Sequence, residues 1–143
     1  MAYSKILIGV DSSEYSMVAV KKGIELAHLL NAEVALLYVV DVSNAIGNVD
    51  AGIGPGDALL ILKKEALQTL DQLSGYNGGR LEKLMPEGHP KADILQTAET
   101  WGADLIVLGT HGRTGLAHLL LGSTSEYIVR HSKIPVLVVP GTK

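Results

Sequence analysis

The chain has 143 residues, 47% hydrophobic and 19% charged, with a formal net charge of −3 and no cysteine. That length suits one domain able to bury roughly two thirds of its unfolded surface, and the composition excludes intrinsic disorder. An acidic balance, with pI near 5.9, argues against nucleic acid as a partner, and the absence of cysteine excludes disulfides, thiol nucleophiles and cysteine-ligated metals.

Mean hydropathy is +0.26, which points to surface hidden from water, in part between subunits. No apolar run approaches the roughly 18 residues a membrane helix needs. The opening MAYSKILIGVD lacks the longer apolar core and cleavage site of a signal peptide, so a cytoplasmic location is expected.

Ile6 to Val10 reads as a first strand, short, apolar and β-branched, ending at Asp11 and a Ser12-Ser13 helix start. From Glu14 to Leu30, apolar positions 17, 18, 20, 24, 27 and 30 recur at helical spacing, with Asn31 as the stop. Val34 to Val40 is almost continuously apolar, as suits a parallel strand covered on both faces. Residues 41 to 56, rich in glycine and aperiodic, read as a loop. Asp57 to Leu73 resumes helical spacing, and Arg80 to Met85 alternates weakly as a third strand. Gly88-His89-Pro90 precedes a helix over Lys91 to Trp101 that Gly102 caps. Leu105 to Leu108 forms a fourth strand. Ser123 to Ser132 forms a helix with the capping-box spacing Ser123 and Glu126, and Val136 to Val139 forms a fifth strand between Pro135 and Pro140.

This alternation predicts an α/β fold: a single open five-stranded parallel sheet with helices on both faces, joined by right-handed crossovers. Ligands of such sheets collect beyond the carboxyl ends of the strands, where Asp11, Val39 to Asp41 and Gly109 to Gly112 all fall.

The segment DLIVLGTHGRTGLAHLLLGS, Asp104 to Ser123, carries most of the functional signal. Glycines let a backbone approach an anion closely, and a helix start offers unpaired N–H donors at the positive end of its dipole. Neither the GxxxxGK[ST] loop nor GxGxxG is present, so a phosphate-loop hydrolase is not expected. On spacing alone, glycines that merely shape a turn and end a short helix are an equal alternative.

The chain resembles the nucleotide-binding type of the universal stress protein family. The family pattern G-x2-G-x9-G-[S/T] matches Gly109, Gly112, Gly122 and Ser123 without insertion. The opening KILIGVDSSEYSMVAV, the strand ALLYVVD, the GHP segment and the closing IPVLVVP resemble the family's landmarks in order. The resemblance implies one domain over residues 1–143, with a Rossmann-like fold of the adenine nucleotide alpha hydrolase-like kind, that binds ATP, ADP or AMP. Asp11 then matches the aspartate near the ribose, with an acid at the first helix's N-terminus as the plain alternative. Val39 matches the residue whose main chain pairs with the adenine edge. Gly109 matches the position against the ribose, and Gly112, Gly122, Ser123 and Thr124 match those around the phosphates. Arg113 is the nearest loop cation and reads as a phosphate partner or as a solvated side chain.

The histidines at 28, 89, 111, 118 and 131 form no metal-ligand spacing, and GxSxG is absent. His111, inside the glycine segment, is read as ordering the loop, with acid–base work as the alternative. Hydrolysis needs compensation for charge on the transferred phosphoryl group, for which only Arg113, His111 and the hydroxyls stand near. The expected role is therefore a nucleotide-dependent regulatory or stress-response module, with Mg²⁺ or Mn²⁺ on the phosphates and slow ATPase activity at most. Alternatives are a genuine ATPase, a switch that autophosphorylates on Ser123 or Thr124, and a nucleotide-free dimeric scaffold for another protein. The apolar strand Val136, Leu137, Val138, Val139 invites edge pairing, and the resemblance implies a homodimer through it.

Overall fold

The computed structural model describes residues 3–47, 50–75, 81–110 and 121–141. The apolar runs become strands and the periodic stretches become helices. In order these are β1 (Lys5–Gly9), α1 (Glu14–Leu30), β2 (Glu33–Leu37), β3 (Val40–Asp41), a 3-10 turn over Val42–Asn44, and α2 (Pro55–Ser74). Then follow β4 (Glu82–Leu84), β5 (Glu87–Gly88), α3 (Pro90–Trp101), β6 (Leu105–Gly109), α4 (Ser123–His131) and β7 (Val136–Val139). The main sheet has five strands in the order β4-β2-β1-β6-β7, every pair parallel. The expected α/β architecture is thus the observed one.

Strand side chains alternate between faces, and each face has its own core. Ile6, Ile8, Leu36, Leu105 and Val107 pack with Ala19, Val20, Ile24 and Ala27 of α1 and with Ala66, Leu70 and Leu73 of α2. Leu7, Ala35, Leu37, Ile106 and Leu108 pack with Ile94 and Ala98 of α3 and Ile128 of α4. Because both faces are covered, the central strands read as unbroken apolar runs. Helix α1 approaches the sheet closely at Gly23, where a Cβ would stand 2.5 Å from Ile8 Cδ1 and 2.9 Å from its Cγ1.

The second strand is not the continuous Val34 to Val40 run expected. It breaks after Leu37, and β3 pairs with β5 in a separate two-stranded sheet. Pro86 explains the break: it accepts from Val40 N–H at 2.8 Å but has no N–H to return, so the ladder cannot run through it. The third strand is accordingly only Glu82–Leu84 of the expected Arg80 to Met85, and Arg80 lies outside the described residues.

Helix ends follow local chemistry. Asn31 closes α1 in the left-handed region at φ 53°, and Gly102 closes α3 at φ 84°. Pro90 opens α3, and Asp93 reaches back to accept from His89 N–H at 2.7 Å while its own N–H donates to His89 C=O at 2.9 Å. A Cβ at Gly88 would collide with the Asp93 carboxylate, which accounts for the glycine of the GHP segment. The capping box expected at Ser123 and Glu126 is not formed. The N-cap is Gly122, Ser123 is already the first helical residue, and Glu126 pairs instead with Arg130 at 3.1 Å.

At the amino ends of the strands, Asp104 ties β6 to β1. Its carboxylate accepts from Ser4 N–H at 2.8 Å, Ser4 Oγ at 3.1 Å and Lys5 N–H at 3.1 Å. Burial raises the Asp104 pKa, but these hydrogen bonds to the charged form outweigh it and leave the group below its ordinary value.

Candidate nucleotide crevice

β1 leads into α1 on one face of the sheet and the neighbouring β6 leads towards α4 on the other, so a gap opens beyond their carboxyl ends. A crevice of about 780 Å³ occupies it, within the range of small-molecule sites. Its walls come from Gly9 to Asp11, Tyr38 to Asp41, Gly109 and Gly122 to Ser125. Of the sequence-predicted residues, Asp11, Val39, Gly109, Gly122, Ser123 and Thr124 all line this crevice. Gly112 and Arg113, with His111, lie outside the described residues.

Asp11 is held rigidly. Its Oδ1 accepts from Ser13 N–H at 2.8 Å and from Ser16 Oγ at 3.0 Å, while its own N–H donates to Ser16 Oγ at 2.7 Å. The helix-start reading of Asp11 and the crevice reading are therefore compatible: Oδ1 serves the start of α1, and the carboxylate still lines the crevice. Ser16 is 5% exposed. Sequence reading passed over it, although its spacing from Val20 places a small polar residue on the helix's inward face.

Val39 stands where the edge of the sheet is interrupted. Tyr38 N–H donates to Leu84 C=O and Val40 N–H to Pro86 C=O, each towards β4 and β5. Backbone groups of an extended chain alternate in direction, so the N–H and C=O of Val39 turn the opposite way, to where β1 has peeled off at Val10 and Asp11. The N–H of Val39 has no backbone partner among the described residues, and a buried main-chain donor calls for one.

The opposite wall is the start of α4. The first hydrogen bond of that helix runs from Glu126 N–H to Gly122 C=O, which leaves the N–H groups of Ser123, Thr124 and Ser125 without intrahelical partners. Ser125, 7% exposed, donates its hydroxyl to Gly109 C=O at 2.7 Å, and Gly122 N–H donates to Thr110 C=O at 2.6 Å. The two ends of the glycine segment are thus clamped together. Gly109 also meets α1, since a Cβ there would stand 3.1 Å from Tyr15 O. That tight contact favours a glycine independently of any ligand.

Among the described lining residues the charged side chains are Asp11 and Asp41, with no lysine or arginine. No cluster of three or more His, Asp or Glu able to hold a metal occurs among the described residues. Asp41, which the sequence placed at the strand end without a role of its own, has an Oδ1 that accepts from Ser43 N–H at 3.0 Å and Ser43 Oγ at 2.6 Å, fixing the rim.

The universal stress protein family model matches residues 2–140. The chain belongs to the universal stress protein family. Universal stress protein MJ0531 of Methanocaldococcus jannaschii is 39% identical over 99% of this chain and 84% of its own. The solved structure of MJ0577, a universal stress protein of the same organism, superposes with TM-score 0.86 at 30% identity, covering 100% of this chain and 99% of that one. A universal stress protein solved in complex with cAMP superposes with TM-score 0.67 at 27% identity, covering 98% of each chain. No helix among the described residues is long and apolar enough to cross a membrane.

Proposed function

We propose that the crevice binds an adenine nucleotide, ATP or its AMP and ADP counterparts, and that the chain, one domain over residues 1–143, is a nucleotide-dependent regulatory module of the stress response. The observation that carries this reading is the main chain of Val39. An N–H beside a C=O, both facing the crevice, matches the adjacent acceptor and donor of the adenine edge and mismatches guanine's. Asp11, its carboxylate already oriented by Ser16, supplies an acceptor for sugar hydroxyls. The three unpaired N–H groups at the start of α4, with the hydroxyls of Ser123 and Thr124, supply the anion nest. Gly112 and Arg113 complete the phosphate side. The cAMP-bound relative supports a nucleotide of this class in this fold.

With two carboxylates and no described cation on the walls, Mg²⁺ or Mn²⁺ on the phosphates balances the charge of ATP. With only Arg113, His111 and the hydroxyls proposed to offset charge on the transferred phosphoryl group, binding dominates and hydrolysis is slow. β7, at the sheet edge with its Val136, Leu137, Val138 and Val139 run, pairs with its counterpart in a homodimer. A cytoplasmic location fits this role.

Calorimetric titration with ATP and Mg²⁺ tests the reading. The wild type binds one nucleotide per chain and discriminates against GTP. Gly122→Val, at φ −69° and ψ 159°, has a backbone any residue adopts, so it folds and loses binding. A wild type that takes up no adenine nucleotide overturns the proposal.

A further inference from the structure

Thr110 stands where the crevice meets the sheet edge. Its C=O accepts from Gly122 N–H at 2.6 Å, at the cap of α4. Its Oγ1 accepts from Gly141 N–H at 3.3 Å, just beyond the end of β7. The residue before it, Gly109, pairs with Val139 of β7 and receives the Ser125 hydroxyl. Tyr15, in the first turn of α1, packs over the same junction: a Cβ on Gly109 would press on the Tyr15 backbone, and one on Gly141 would collide with the Tyr15 ring. One residue therefore touches the anion-facing helix start through its main chain and the tail of the edge strand through its side chain.

We propose that the Thr110 hydroxyl couples occupancy of the crevice to order in the edge strand and its tail, Val136 to Gly141. This rests on the nucleotide reading of the site. Phosphate held by the N–H groups of Ser123 to Ser125 draws on Gly122, Gly122 draws on the Thr110 peptide, and Oγ1 passes the restraint to Gly141. Tyr15 closes the other side, so the junction has little freedom to absorb the displacement. Coupling is reciprocal: whatever orders the β7 edge, including a second copy paired there, tightens nucleotide binding by the same factor.

The test is hydrogen exchange of the Val136 to Gly141 amides with and without saturating ATP and Mg²⁺, beside calorimetric affinity. Thr110→Val keeps the shape of the residue and its C=O bond to Gly122 while deleting the acceptor for Gly141; Thr110→Ser restores it. In the wild type and Thr110→Ser, nucleotide slows exchange of the tail by about 5-fold or more, the lower end of typical site-to-site couplings. In Thr110→Val the nucleotide still binds and the slowing disappears. Equal slowing in Thr110→Val, or a wild type that binds ATP with unchanged tail exchange, overturns the coupling alone. A wild type that binds no nucleotide overturns the reading of the site and the coupling with it. Should Thr110→Val not fold, Thr110→Ala, which also lacks the acceptor for Gly141, is read in its place, with lost slowing supporting the coupling and equal slowing overturning it.

Discussion

The hydroxyl of Ser16 grips Asp11 from two sides, accepting from its main-chain N–H at 2.7 Å and donating to its Oδ1 at 3.0 Å. The first turn of α1 thereby sets the direction of a carboxylate at the end of β1.

Ser16→Ala removes both contacts and leaves Asp11 chemically intact. A buried hydrogen bond to a charged group is worth about 1.5–3 kcal/mol, so unfolding in urea should register a loss of about 2 kcal/mol. ATP affinity should fall as well, because the carboxylate is then held by Ser13 N–H alone. Unchanged affinity would show that Asp11 orientation does not matter to the ligand.

Much of this site was legible in the sequence, and the reasons it was or was not are local. Asp11, Val39 and Gly109 each sit at the carboxyl end of an apolar run, and parallel topology brings such ends together, while the Gly122 to Thr124 run opens the helix that follows β6. Ser125 was not legible as a site residue because its partner, Gly109, is brought to it by tertiary packing, whereas Ser16, only five residues from Asp11, carried a signal in its inward helical position that no motif marks. Ser123 was misread as a cap because Ser-x-x-Glu spacing does not reveal register. Gly122 N–H is already taken by Thr110 C=O, and the helix starts there. The split between β2 and β3 turned on one missing N–H at Pro86, invisible from the apolar pattern of the strand it interrupts.

Gly23→Ala gains about 1 kcal/mol of helix propensity but places a methyl 2.5 Å from Ile8 Cδ1, in a side chain 0% exposed. Overpacking of this kind costs about 1–3 kcal/mol, so the net change should be destabilising by about 1 kcal/mol. Thermal unfolding checks the sign. A more stable variant would mean that α1 can shift away from β1 without loss.

Asp104 makes stability depend on pH. Its pKa in the folded state lies below its ordinary value, so its contribution is complete above about pH 4, the unfolded carboxylate pKa, and disappears as pH falls through the lower folded value. Asp104→Asn should therefore be less stable than wild type at pH 7, with the gap narrowing below about pH 4. Urea titrations of both proteins between pH 7 and pH 3 measure it. A gap independent of pH would contradict the charge-assisted staple to Ser4 and Lys5.

Metal removal should separate nucleotides by charge. Because the described crevice walls carry Asp11 and Asp41 and no cation, chelation of divalent ions should weaken ATP by about 10-fold or more, equivalent to about 1.4 kcal/mol, and leave AMP almost unaffected. Calorimetry in EDTA gives the comparison. Equal affinities with and without metal would mean that protein cations supply the balance.

The central claim is that the crevice between β1 and β6 holds an adenine nucleotide. Native mass spectrometry of the purified protein, before and after incubation with ATP and Mg²⁺, addresses it most directly. The expected spectrum shows one adenine nucleotide per chain that Gly122→Val fails to retain; bare protein under both conditions would contradict the claim.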